Sequence, residues 1–370
     1  MQGHLTVFAV TVLIGLFLIA TQRWHGRFSL DGLDGVQKLH EKPTPRIGGI
    51  AIAAGLLAAW FSANPAQRQV LGPMLLAGIP ALLFGLAEDI SKRVGVLPRL
   101  LATMGSGAVA WYLTGVAMQD TGFPPLDWLL QYLPFAVLFT AFAVGGVANS
   151  VNIIDGFNGL AAGAVAIMLG ALGWMALQVD DPTIAGICFL GASSALGFVV
   201  VNWPLGKLFL GDGGAYLIGF VLAWLAVLLP MRSPNVNAWA TILVCAYPVI
   251  EVGFSVRRRR HSRGQHAGQP DKLHLHHLLH RRIIKKLFPA LSKPLQNGLT
   301  SPIAWLLTAI PAAWAVYFAQ NTPLLAVGFG LAVAGYGALY ARLTQFRWCF
   351  SAVTLQPRPT SRVAVGNSSR

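Results

Sequence analysis

The amino-acid sequence predicts an all-α polytopic membrane protein, and three observations carry that prediction. Hydrophobic residues occupy 55% of the 370 positions, charged residues only 11%, and mean hydropathy is +0.60; a water-soluble fold of this length has no interior large enough to hide so much apolar surface. Apolar stretches able to cross about 30 Å of hydrocarbon as helices recur along nearly the whole chain. The basic residues, finally, are shared very unevenly among the segments that join those stretches.

In chain order, about eleven stretches read as transmembrane helices: Leu5–Thr21, Ile47–Phe61, Val70–Ala87, Leu97–Ala117, Trp128–Ala148, Leu160–Leu177, Ile184–Val201, Ala215–Pro230, Ala238–Val256, Pro302–Ala319 and Pro323–Ala341. The first resembles a signal peptide in length, but it lacks a basic n-region and a small-residue cleavage site before Arg23, so it is read as a retained span. Cys188, Cys245 and Cys349 lie in or beside apolar segments without CxxC spacing, which suggests small packing residues rather than a disulfide framework or a zinc site.

A net charge of +14 and a pI near 10.3 would suit a nucleic-acid binder, but the positions of the charges argue otherwise. Of the 27 Lys and Arg, all but Arg68 and Arg232 fall in segments assigned to one side. The positive-inside rule then places the N-terminus outside and the C-terminus in the cytoplasm, a pairing that an odd number of spans requires. Membrane lipids, not nucleic acid, are the expected surroundings. One transmembrane domain is expected over 1–342, with chemically rich cytoplasmic segments at 22–46, 88–96, 149–159, 202–214 and 257–301. The tail 343–370, with Pro357, Pro359 and several Ser, reads as disordered.

Only 13 Asp and Glu are present, and several fall where a helix meets the cytoplasm, a costly place for an ionisable group and therefore a functional one by default. Glu88 and Asp89 end the third span and face the negative end of its helix dipole, so they need a cation; local pairing with Lys92 and Arg93 is one source, a divalent metal another. Asn149, Asn152 and Asp155 recur every three residues and share a helix face until Gly156 can end the helix. Capping accounts for Asp155 or Asn158 singly; the stacked amides suit a polar ligand. Asp212, in Gly211-Asp-Gly-Gly214, is either an N-cap or a carboxylate metal ligand beside backbone amides that favour phosphate. Arg257–Arg260 reads first as a topology and anionic-lipid signal. In Pro270-Asp-Lys-Leu-His274-Leu-His276-His277, the histidines do not have zinc-site spacing, and contact with phosphate or sugar fits better than zinc.

In their order these motifs resemble the polyprenyl-phosphate N-acetylhexosamine-1-phosphate transferases, glycosyltransferase family 4, over roughly Lys38 to His277. The elements are His40-Glu-Lys-Pro-Thr-Pro-Arg-Ile-Gly-Gly49, Glu88-Asp89 with Lys92, Asn149-Ser-Val-Asn152-Ile-Ile-Asp155-Gly-Phe-Asn-Gly-Leu160, Asn202 ahead of Leu210-Gly-Asp212, and the histidine loop. The last looks like the N-acetylhexosamine branch rather than the muramoyl-pentapeptide branch. Two departures stand out: Glu88 replaces the first member of the family's usual Asp-Asp pair, and Asn158 stands where the hexosamine enzymes often have Asp.

The resemblance implies exchange of one phosphoanhydride for another: undecaprenyl phosphate attacks the phosphorus attached to the sugar of a UDP-sugar, and UMP leaves. It implies Mg2+, with Mn2+ as the alternative, held by Asp155 and Asp212. Asp89, backed by Glu88 and Lys92, would handle the attacking phosphate or its proton. Asn152, Asn202, His274, His276 and His277 would hold the UDP-sugar, and Arg257 and Arg258 would draw in the lipid phosphate. The donor is expected to be UDP-GlcNAc, with FucNAc or QuiNAc derivatives as alternatives, in initiation of O-antigen or another envelope polysaccharide at the inner membrane; a homodimer is also allowed. The rival readings are a secondary transporter, which would need ionisable groups at mid-membrane, and a catalytically silent membrane scaffold.

Overall fold

A computed structural model describes residues 2–31, 43–261 and 273–345, and each of the eleven expected stretches falls on helix. Helix α1 (Gln2–Ala20) leads into a short helix, α2 (Gln22–Ser29), and a two-residue antiparallel bridge pairs Leu30 with Pro45 and Asp31 with Thr44. Then come α3 (Gly49–Ser62), α4 (Pro65–Ala77), α5 (Ile79–Ser91), α6 (Val96–Thr114), α7 (Pro124–Leu130), α8 (Leu133–Ile154), α9 (Leu160–Gln178), α10 (Pro182–Asn202) and α11 (Gly211–Arg232). The remainder is α12 (Ala238–Val244), α13 (Ala246–His261), α14 (Leu275–Leu279), a π turn at His280–Ile284, α15 (Lys285–Leu287), α16 (Lys293–Gly298), α17 (Thr300–Tyr317) and α18 (Thr322–Thr344).

Among the described residues, seven helices are long and apolar enough to cross a membrane, or nine if α4–α5 and α12–α13 each count as one bent span. Helix α3 has only 14 residues, short of the ~20 that a full crossing needs. The stretch Ala238–Val256, expected as one span, instead turns by 77° between α12 and α13. Pro248 explains the break: it offers no N–H to the carbonyl four residues back, and its ring crowds that carbonyl. The 42° bend between α4 and α5 has the same cause, with Pro80 following Gly78. The tail from 346 onward, the segment 32–42 and the segment 262–272 lie outside the described residues.

Helix α11 is the axis of the fold. It is enclosed by α3, α5, α6, α8, α9 and α10, and every residue from Gly211 to Pro230 is buried, as expected of a helix that is hydrophobic all round. Small residues let its cytoplasmic start be crowded from two sides. A Cβ on Gly49 would lie 2.5 Å from Gly214 N, and one on Gly85 2.5 Å from Gly213 Cα, so only glycine lets α3 and α5 abut this end. Polar contacts inside the bundle are sparse, such as Thr11 Oγ1 to Ser194 Oγ at 3.2 Å between α1 and α10.

The segments assigned to the cytoplasm meet one another. Phe209 N donates to Pro45 O and Gly48 N to Phe209 O; Lys92 Nζ donates to Leu30 O at 2.9 Å; Asn158 N donates to Asn297 Oδ1 at 2.7 Å. The opposite end has its own contacts, among them Arg232 to Asp181 at 2.8 Å and Asn237 to Thr322 at 2.9 Å.

Candidate active site

The start of α11 presents backbone N–H groups with no partner inside the helix and the positive end of its dipole. Asp89, in the last turn of α5, meets both needs. Its carboxylate is fully buried and accepts from Asp212 N and Gly213 N, each at 2.9 Å, and from Arg46 Nε at 3.0 Å. Both oxygens accept, so Asp89 seats the start of α11. Glu88 does not share this pocket: its Oε2 accepts from Val94 N at 2.7 Å and braces the turn after α5. Lys92, at φ 55° in the left-handed region, reaches Leu30 O rather than Glu88.

Asp212 stands on the helix start that Asp89 secures. Arg46 Nη2 donates to its Oδ1 at 3.1 Å, Asn152 Nδ2 donates to the same oxygen at 3.2 Å, and Arg99 from the first turn of α6 pairs with Oδ2. Arg46 also lies 3.9 Å from Asp31, so a single guanidinium touches three carboxylates from three segments. Neither Arg46 nor Arg99 was expected as a site residue; Arg46 stands in the quoted His40–Gly49 motif without a role, and Arg99 is one among many basic residues at inner helix ends.

Asp155 caps the far end of α8. It is partly exposed, and its carboxylate makes no hydrogen bond among the described residues. Its pKa is raised to about 7, first by desolvation, with Arg46 opposing and Asp89 adding to the rise. Asn149, expected on the same face as Asn152, turns instead to Thr103 Oγ1 at 3.1 Å and Gly145 O at 3.0 Å.

The turn after Asp155 rests on the histidine segment. A Cβ on Gly156 would lie 3.4 Å from His276 Nε2, and the Phe157 ring packs on His276, His277 and His280 at 5.6, 5.2 and 5.1 Å. His274 and His276 stack with ring planes 9° apart, and all three expected histidines are buried. Burial together with His277 and His274 keeps the His276 pKa well below the usual histidine value, so its ring is neutral. Glu251, fully buried on α13, accepts from His274 Nδ1 at 2.8 Å. Glu251 lies 23 residues before His274 in sequence, too far for the histidine motif to point to it.

Asn202, expected at the site, and Asn158, which stands where the family often has Asp, both serve as latches. Asn202 accepts from Gly159 N and donates to Leu208 O at 2.7 Å, so both ends of its amide are engaged inside the protein. Asn158 donates to Pro204 O at 2.8 Å, while its backbone carbonyl accepts from Ser301; an amide that donates there is what an Asp could not supply. Arg258 donates to Leu273 O at 3.2 Å and to Tyr340 Oη at 3.1 Å, and Arg257 lies exposed beside it on α13. His40, Glu41, Pro270, Asp271 and Lys272 of the expected motifs lie outside the described residues.

Among the described residues, no group of three His, Cys, Asp or Glu converges closely enough to hold a metal ion. Mg2+ binds through one or two carboxylates plus substrate phosphates and water. Asp212 and Asp155 carry hard carboxylate oxygens, the donor type that ion takes rather than a softer one.

The sequence matches the model of "Glycosyl transferase family 4" over residues 71–230. It is 26% identical over 306 residues to an undecaprenyl-phosphate alpha-N-acetylglucosaminyl 1-phosphate transferase of Yersinia pestis, covering 80% of this chain and 78% of that one. It is 30% identical over 296 residues to a decaprenyl-phosphate N-acetylglucosaminephosphotransferase of Mycobacterium leprae, covering 68% and 71%. A probable undecaprenyl-phosphate N-acetylglucosaminyl 1-phosphate transferase of Bacillus subtilis is 28% identical over 244 residues, covering 66% and 67%.

Proposed function

The chain belongs to glycosyl transferase family 4, and on that premise we propose that it transfers an N-acetylhexosamine 1-phosphate, GlcNAc-1-phosphate first among the candidates, from a UDP-sugar to undecaprenyl phosphate. FucNAc and QuiNAc derivatives are the alternative donors. The step would initiate O-antigen or another envelope polysaccharide at the cytoplasmic face of the inner membrane, the side that holds all but two of the 27 Lys and Arg. The observation that carries the reading is the convergence of Arg46, Arg99 and Asn152 on Asp212 at the positive start of the buried helix α11, with Asp155 and the histidine cluster on the adjoining turn.

In the reaction a phosphate oxygen of the lipid forms a bond to the sugar-bearing phosphorus as the phosphoanhydride bond to UMP breaks. One phosphoanhydride linkage is exchanged for another of similar energy, so catalysis consists of aligning two anions and neutralising their charge. Asp155 and Asp212 would hold Mg2+, with Mn2+ as the alternative. When bound, the ion supplies positive charge to the diphosphate. Arg46 and Arg99 hold the Asp212 carboxylate in place. Asp89 fixes the backbone beneath Asp212, and we assign it positioning rather than proton transfer. Asn152, His274, His276 and His277 bind the UDP-sugar; Arg257 and Arg258, at the end of α13, meet the lipid phosphate. Asn202, Glu88 and Lys92 support the loops around the site.

Membranes containing the protein, supplied with labelled UDP-GlcNAc and undecaprenyl phosphate, should yield a tunicamycin-sensitive lipid product and UMP. A panel of UDP-sugars identifies the donor. Asp212→Asn should abolish magnesium-dependent UMP release in a protein that still folds; activity retained in that variant overturns the assignment of Asp212.

A further inference from the structure

Glu251 is the most deeply buried carboxylate that the reaction described above leaves without work. It lies on α13 with 0% exposure, and both of its oxygens address the start of α14. Oε1 accepts from His274 Nδ1 at 2.8 Å, Leu275 N lies 3.3 and 3.1 Å from the two oxygens, and Oε2 is 3.9 Å from His276 Nδ1. One turn earlier on α13, Tyr247 Oη is 3.5 Å from that same nitrogen. The Nδ1 atoms of both histidines are therefore turned toward α13, and their Nε2 atoms away from it. His276 Nε2 is buried, has no hydrogen-bond partner and faces the Asp155–Gly156 turn.

We propose that Glu251 is a positioning residue that fixes which ring nitrogen the histidine pair offers to the diphosphate of the UDP-sugar. The inference rests on the reaction proposed above. An ionised carboxylate only accepts hydrogen bonds, so His274 Nδ1 must carry its proton and Nε2 is left as the nitrogen that meets the ligand. The same partnership, a carboxylate behind an imidazole, orients histidines that bind metals or act as bases elsewhere in proteins. Because His274 stacks on His276 in nearly parallel planes, holding one ring also holds the other. Glu251 acts from α13, the helix whose end carries Arg257 and Arg258, so the nucleotide-binding histidines and the lipid-facing arginines share one support.

Glu251→Gln tests this without leaving a cavity. The amide has one accepting oxygen, which the Leu275 N–H requires, so its NH2 group faces His274 Nδ1 and forces the proton to Nε2. The variant should raise the KM for the UDP-sugar about tenfold or more while the KM for undecaprenyl phosphate stays within about twofold, the scale of one charge-assisted hydrogen bond. Glu251→Gln on a His274→Ala background should add no further loss, and Glu251→Asp should recover part of the wild-type KM. In the full-length protein with 15N-labelled histidine, the Nδ1 and Nε2 resonances of His274 should exchange character in Glu251→Gln. Additive losses in the double variant, equal effects on both substrates, or an unchanged His274 tautomer would each overturn the proposal. If the wild-type protein transfers none of the UDP-sugars, the reaction reading falls; the nitrogen spectrum still decides whether Glu251 sets the His274 tautomer.

Discussion

Asp89→Asn removes one charge from the most enclosed part of the site, and its effect can be worked out bond by bond. The carboxylate accepts from two backbone N–H groups and one guanidinium. Asparagine keeps one accepting oxygen and turns an NH2 group toward a donor, which leaves a buried N–H unpaired at about 1–3 kcal/mol. Arg46 also loses its buried partner, and breaking such pairs costs about 3–5 kcal/mol; the lower end applies, because Arg46 is 23% exposed and keeps Asp212. A combined loss of about 4–6 kcal/mol should lower Tm by on the order of 10 °C at a few degrees per kcal/mol. Cys188 and Cys245 are buried and unpaired, so a thiol-reactive dye reports unfolding in detergent once Cys349 is replaced by Ser in every protein compared. Glu88→Gln, which disturbs one hydrogen bond at a partly exposed turn, should cost less than about 1 kcal/mol. UMP release should fall with Asp89→Asn even well below its Tm, because Asp212 loses its seat. An Asp89→Asn protein that melts within about 2 °C of its parent and turns over at the parental rate would refute the positioning argument.

Asn202→Ala should cut the link between Gly159 N and Leu208 O and cost about 2–4 kcal/mol for the two buried groups left unpaired; a raised UDP-sugar KM with an unchanged Tm would instead make Asn202 a ligand contact. Acid should loosen the histidine segment. His280 is held down to about 4, first by burial and then by Lys285, and His276 is also held low, whereas the unfolded chain protonates near the ordinary value of 6.5. Unfolded protein therefore binds protons that folded protein does not as pH falls from about 6.5 toward 4, and stability declines over that window. A Tm that stays flat between pH 7 and 5 would contradict this.

Much of the fold was legible because bilayer physics leaves strong marks: apolar runs gave the helices, and lopsided charge grouped the segments that meet at one end. The bend at Pro248 was legible in principle, since a proline near the middle of a span removes one backbone bond, but an uninterrupted apolar run hid it. At the site, Asp212 and Asn152 were found from their place at helix ends, and the structure brings them together. Arg46, Arg99 and Glu251 were not, because what distinguishes them is a partner 166, 113 or 23 residues away in sequence. Asn202 was found as a candidate ligand contact, and in the structure its amide, like that of Asn158, locks loops to one another.

The arrangement separates two kinds of buried charge. Asp89 and Glu251 sit one layer behind the surface, each fully buried and each accepting backbone N–H groups at a helix start, Asp89 under α11 and Glu251 under α14. In front of them stand the groups with capacity to spare, Asp155 and the Nε2 atom of His276, beside Asp212 and its two arginines. A buried charge that is satisfied on every side cannot do chemistry, but it can hold another group still; a charge left short of partners is costly to fold and useful to a ligand. By that criterion the front layer should govern substrate KM and metal dependence, whereas the back layer should govern Tm and turnover together, and Glu251 is the exception that tests it, since its path to the reaction runs through the histidine pair.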